Sequence, residues 1–157
     1  MKKYENFTLG LALFDALPVL FFCGSMLLIA SHFKSIFFIL GALLCTFAGC
    51  GKVLWKILIA LKKIDIKALN KQLRFNMPLG FLCMLIGLIV NIHQIHISQI
   101  FTFPASIFYL ITGIALLFMF LFAFTLDGTK AKSNWIEQIT NTIAQASLFI
   151  GILINTI

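Results

Sequence analysis

Residues 101–125 read FTFPASIFYLITGIALLFMFLFAFT, twenty-five positions without a single Lys, Arg, Asp or Glu and with Phe, Leu or Ile at more than half of them. As a helix this stretch is about 37 Å long, enough to cross the ~30 Å hydrocarbon core of a bilayer. Its apolar residues do not alternate with polar ones, as they would in the strands of a membrane barrel. The stretch is therefore read as a membrane-spanning helix, and it sets the class of the whole chain.

Four further segments follow the same reading. Apolar runs over about 8–30, 36–60 and 77–98 are long and rich in Leu, Ile and Phe, and a fifth segment covers 134–156. The chain is thus expected to be all-α, a single integral membrane domain over 1–157 with five predicted spans. The total becomes four if the last helix lies in the interface, because Asn134 to Gln145 is amphipathic and only Ser147 to Ile157 is strongly apolar. Composition agrees. Hydrophobic residues make up 61% of the 157 and charged residues 11%, against about 45–50% and about 25% in soluble domains. So little polar side chain does not cover a water-facing globule, which excludes a soluble enzyme, a nucleic-acid module and a disordered tail.

The net charge of +7, from 12 Lys and Arg against 5 Asp and Glu, becomes a topology signal in this setting. Lys2 and Lys3 precede span one. Lys62, Lys63, Lys67, Lys71 and Arg74 lie between spans two and three, and Lys130 and Lys132 lie between spans four and five. The other two connections hold only Lys34, or no Lys or Arg at all over Asn91 to Gln99. All the basic segments share one side if the N-terminus is cytoplasmic and the C-terminus outside. The first segment is read as a retained span: its apolar run exceeds the ~7–15 residues of a signal-peptide core and contains Asp15 and Pro18. The compact design suggests a bacterial cytoplasmic membrane.

Pro18 is expected to interrupt helix one by removing the hydrogen bond to the Phe14 carbonyl, next to Asp15. Pro78 and Pro104 are read as marking the first turns of spans three and four. The loop from Lys62 to Phe75 is expected to form a short surface helix. Lys63, Lys67, Lys71 and Arg74 line one stripe of it, suited to anionic lipid headgroups, and Ile66, Leu69 and Leu73 lie on its flank. Gly41, Cys45 and Gly49 in span two, and Thr140, Ala144, Ser147 and Gly151 in span five, have the small-residue spacing that lets helices approach closely. The four cysteines (Cys23, Cys45, Cys50, Cys83) form no C-x-x-C pair and are read as packing residues. His93 and His96 have the spacing of two metal ligands on one helical face but no evident third ligand. No metal or other cofactor is expected.

The functional candidates are the polar residues placed where lipid should be. A charge at the bilayer centre costs at least ~2.5 kcal/mol, so such groups turn to the bundle interior and find partners. They are Asp15, Lys52, Lys56, Glu137, Asn141 and Gln145. Counted by helical rise and the topology above, Asp15, Lys52 and Asn141 share one depth, with Lys56 and Glu137 one turn nearer the cytoplasm. Asp15 with Lys52 is the expected pair, while Lys56 beside Trp55 is read as an interfacial anchor. In span five, Asn134, Gln138, Asn141 and Gln145 form a polar stripe, with Glu137 at its edge and Ile136, Ile139, Ile143, Ile150 and Ile154 opposite. Such a stripe needs a wet cavity or a polar partner.

No nucleophile motif, metal-binding helix or phosphate-cradling glycine loop is present, so catalysis is not expected. The expected function is binding or transport of an ion or small molecule at a cavity opening to the cytoplasm between helices one, two and five, with homo-oligomers as the working unit. The alternative is a non-catalytic membrane subunit or scaffold that pairs with another membrane protein through span five.

Overall fold

A computed structural model describes residues 7–94 and 97–156. Lys2, Lys3 and His96, used in the readings above, lie outside the described residues. Everything described is helix, 3-10 turn or connection, with no strand among the described residues. The α-helices are α1 (Leu9–Phe14), α2 (Ala16–Phe33), α3 (Ile36–Lys62), α4 (Lys67–Lys71), α5 (Leu73–Val90), α6 (Ala105–Thr125) and α7 (Ala131–Thr156). Among the described residues four stretches are long and apolar enough to cross a membrane: Leu9–His32, Ile36–Lys62, Lys67–Val90 and Ala105–Thr125. The chain is accordingly a helical bundle of membrane-protein character. Helix α7, although 26 residues long, falls outside that set because its polar stripe lowers its hydropathy.

Local chemistry sets the helix ends. Thr8 Oγ1 accepts from the Leu11 amide at 3.2 Å to start α1, and Ser35 caps α3 through the Phe38 amide. Lys34 and Lys63 close α2 and α3 in the left-handed region, at φ 47° and 55°. The first long helix breaks at Asp15, three residues before Pro18. This is the interruption expected from the missing proline N–H, and it parts α1 from α2. Span three differs from its expected bounds. Helical structure starts at Leu73, which puts Pro78 inside α5 rather than in its first turn. It ends at Val90, where Asn91 Nδ2 donates to the Gly87 carbonyl at 2.8 Å. The apolar residues beyond form 3-10 turns at Ile92–Gln94 and Ile97–Phe101.

The long helices pack as a row in the order α5, α3, α1–α2, α7, α6. At one end Phe7, Leu11, Trp55 and Ile59 form a cluster joined by Leu69, Ala131 and Trp135. The start of α1, the end of α3, α4 and the start of α7 therefore meet there, together with the basic loops. At the other end Thr102 donates to Asn155 Oδ1 at 3.1 Å, and Asn155 Nδ2 donates to the Tyr109 hydroxyl at 3.0 Å. Helix α7 thus runs the length of the bundle between α2 and α6. Phe149 stacks on Phe21 with ring centroids 6.1 Å apart, and Thr112 Oγ1 donates to the Ala144 carbonyl at 3.2 Å.

The small-residue spacings serve helix contact, divided among different neighbours. Gly41 and Cys45 meet α5 at Gly80 and Met84, whereas Gly49 faces Val19 of α2. Ala144 and Gly151 face α6. The α3–α5 seam is the tightest: a Cβ at Gly80 would lie 2.5 Å from Cys45 Sγ and 2.8 Å from the Gly41 carbonyl oxygen. Gly113 of α6, by contrast, has nothing within 4 Å of the same added atom. Gly80→Ala should cost about 1–3 kcal/mol through overpacking, and Gly113→Ala should be neutral or stabilising by up to about 1 kcal/mol. Thermal melting of the two variants in detergent measures the difference.

Candidate functional site

The site starts from the break in the first helix. At Asp15 the regular helix is interrupted, and the carboxylate is carried into the interior, 3% exposed. Its partner is Lys56 of α3, with Nζ 3.2 Å from Asp15 Oδ2 and only 1% of the lysine exposed. This corrects the expected Asp15–Lys52 pair, and the reason is azimuth. Lys56 follows Gly49 by seven residues and so shares its face, the one that meets Val19 of α2. Lys52 is turned about 60° from that face, toward the α5 seam, and is half-buried. A lysine side chain spans about one helical turn, so depth alone does not choose between the two.

The reading of Lys56 and Trp55 as interfacial anchors is likewise corrected. Trp55 is 5% exposed and belongs to the interior cluster, and its Nε1 donates to Asp65 Oδ1 at 2.9 Å. That bond ties the one acidic residue of the 62–75 loop to the bundle.

Helix α7 supplies the third wall. Trp135 stacks against Phe14 with centroids 5.3 Å apart and packs on the Trp55 cluster. Gln138 follows three residues on, about one turn further along α7 than Trp135. It is 1% exposed, and neither its Nε2 nor its Oε1 has a hydrogen-bonding partner among the described residues. Asp15 Oδ2 and Lys56 Nζ, apart from their mutual ion pair, are in the same condition. Glu137 and Lys52, both half-buried, are close enough for their charges to act on Lys56. With Asp15 and Lys56 they make two positive and two negative groups, a balanced set.

The remaining candidates sit less deeply. Asn141 and Gln145 are half-buried, and Gln145 Oε1 is enclosed without a partner. Asn134, at the head of the stripe, is occupied: its Nδ2 donates to the Gly128 and Lys130 carbonyls at 2.8 and 3.0 Å. Ile136, Ile139, Ile143 and Ile150 face outward, from 37% to 49% exposed. The polar and apolar faces of α7 are thus placed as its periodicity implies. Gln138, the most deeply buried amide of the stripe, stands outside the expected candidates, although its place on the stripe marked it.

Two apolar clefts lie elsewhere. One of about 650 Å³ runs along α6 beside Gly113, and one of about 190 Å³ separates α2 from α3 near Val19 and Cys50. Neither is lined by the charged cluster. Among the described residues no three His, Cys, Asp or Glu side chains gather as metal ligands, and His93 is exposed.

Comparison with protein-family profiles, curated proteins and solved structures finds no match to this chain.

Removing one member of a buried ion pair strands the other charge, at about 3–5 kcal/mol, whereas an apolar replacement of both costs far less. Asp15→Asn and Lys56→Met should each lower the melting temperature strongly in detergent, and the double variant should recover most of the loss. Combining Asp15→Asn with Lys52→Met should bring no such recovery.

Proposed function

We propose that this chain is a small integral membrane protein that binds, and passes through the bundle, a small polar solute or ion at the cluster formed by Asp15, Lys56 and Gln138. Lys52 and Glu137 balance the charge, and Asn141 and Gln145 extend the path along α7. The observation that carries this reading is the buried amide of Gln138, whose donor and acceptor both lack a protein partner among the described residues, on the helix whose Glu137 acts on the buried Asp15–Lys56 pair. Each such group left unmatched costs about 1–3 kcal/mol. Water or a bound solute removes that cost. An ion pair buried for stability alone would also be a poor choice, since apolar residues of similar volume hold helices together as well or better.

The topology proposed with it has five spans, with the N-terminus and the basic loops cytoplasmic and the C-terminus outside. Support comes from α7 running the length of the bundle antiparallel to α6, and from Lys62 to Arg74 gathering with Lys130 and Lys132 at one end. The site then lies in the cytoplasmic half of the membrane, entered from that side. A homo-oligomer in a bacterial cytoplasmic membrane is the setting proposed for so small a unit.

Two measurements test these points. A periplasmic reporter fused after Ile157 should be active, and a cytoplasmic readout removes the fifth span. Single cysteines at 138, 141 and 145, in a background lacking the four native cysteines, should react with a small water-soluble thiol reagent. Cysteines at 139 and 143, on the lipid-facing Ile side, should stay unreactive. Protection of all five positions in the purified protein overturns the solute path, and α7 is then a seam for another membrane protein.

A further inference from the structure

A second surface, separate from the charged cluster, lies on α4 and the first turn of α5. Its inner side is pinned at three points. Leu69 packs against the Trp55 cluster. Asp65 accepts from Trp55 Nε1 at 2.9 Å. Gln72 reaches across α3, donating from Nε2 to the Ala48 carbonyl at 3.0 Å, while its Oε1 accepts from Asn76 at 2.7 Å. The Gln72 amide fills the notch left by Gly51, where a Cβ would collide with it.

These anchors decide which side of the segment faces out. Leu69, Gln72, Leu73 and Asn76 are half-buried, whereas Lys67, Lys71, Arg74 and Phe75 are exposed. Lys67, Lys71 and Arg74 follow one another at spacings of four and three, so they stack on one face. Phe75 stands beside them with 76% of its surface exposed. Asp65, the loop's one carboxylate, accepts a hydrogen bond from Trp55. General attraction of a cytoplasmic loop to a membrane needs only charge. Here three cations and an aromatic ring are held in register by contacts on the opposite side.

We infer that this face is a binding site for an anionic phospholipid, with Lys67, Lys71 and Arg74 on the headgroup phosphate and Phe75 against the upper acyl chain. Arg74 offers the forked donor set that suits phosphate oxygens, and the two lysines add point charges. Each basic residue near an anionic lipid surface contributes about fivefold in affinity.

The test uses the purified full-length chain in a neutral detergent, titrated with a short-chain phosphatidylglycerol and, separately, with phosphatidylcholine of the same chain length. Binding is read by native mass spectrometry. Saturable binding of the anionic lipid is expected, at least about tenfold tighter than of the zwitterionic one, and Lys67→Gln/Lys71→Gln/Arg74→Gln should weaken it about a hundredfold. Lys130→Gln/Lys132→Gln should leave it within about twofold, which separates a site from overall charge. Phe75→Ala should weaken lipid binding without altering the melting temperature. The proposal is overturned if the triple variant, melting like the parent, keeps its affinity, or if both lipids bind alike. Displacement by millimolar inorganic phosphate, with phosphate binding as tightly as lipid and unaffected by Phe75→Ala, would also overturn it in favour of a soluble-phosphate site.

Discussion

A lysine and an aspartate held 3.2 Å apart, both almost wholly removed from the surface, impose the main constraint on this bundle. In an apolar environment either charge alone is several kcal/mol too costly to keep, so each helix must present its member to the other. On α3 that member is Lys56, which lies on the face turned toward the first helix. The break in the first helix falls at Asp15, next to the Phe14 carbonyl that Pro18 cannot serve, and the carboxylate there is buried. Helix α7 closes the third side with an amide face, the kind of wall that tolerates an ion pair without adding net charge. The three helices at the centre of the row are therefore the ones that carry the buried ion pair and the unpaired buried amide.

The outer members of the row have the opposite character. Helix α6 is apolar around its circumference and largely exposed, and α5 meets the bundle chiefly through its glycine-lined seam with α3. In a bilayer such helices face lipid on most sides, and association among apolar helices there rests on close packing and hydrogen bonds instead of a hydrophobic drive. This accounts for the contacts that hold the edges. On one side Gly41, Gly80 and Gly87 bring backbones together, and on the other Thr112, Tyr109 and Asn155 bridge α6 to α7 by hydrogen bonds. Edges are fixed by surface shape, the centre by charge.

Periodicity and composition made a good part of this legible beforehand. Long apolar runs marked the helices, Pro18 marked the break, and the alternation of amides and isoleucines on α7 told which side faces in. Depth counted from rise per residue set Lys52 level with Asp15 and Lys56 one turn away, yet the ion pair forms with Lys56. Azimuth was not legible. Whether Lys52 or Lys56 meets Asp15 depends on how α3 is rotated, and that rotation is set by Gly41 and Cys45 docking on α5 while Gly49 docks on α2. Their spacing does not show that they divide between two neighbours. The end of span three was obscured for a different reason: apolar residues continue past Val90, so hydropathy does not register the stop that the Asn91 side chain supplies at the Gly87 carbonyl. Trp55 and Lys56 misled because an aromatic–basic pair near a span end usually lies at the interface; here the cap formed by α1, α4 and the start of α7 covers both.

That cap also bears on why α7 is helical along its whole length despite its modest hydropathy. A helix with a third of its circumference polar is unstable facing lipid and unstable in a dry apolar core, but it fits the boundary between the charged centre and the apolar edge. Its Ile residues face outward, its small residues meet α6, and its Glu137 is near enough to Lys56 for their charges to act on each other. Replacing the amides by apolar residues would leave α7 a better membrane helix by composition and a worse neighbour for the ion pair. The polar stripe is thus tied to the pair by the same electrostatics that buries it: a low-dielectric surround strengthens the Asp15–Lys56 attraction and raises the cost of every lone pair and proton left over. Gln138, buried with both of its amide atoms unpaired among the described residues, is where α7 bears the largest cost of unmatched polar groups.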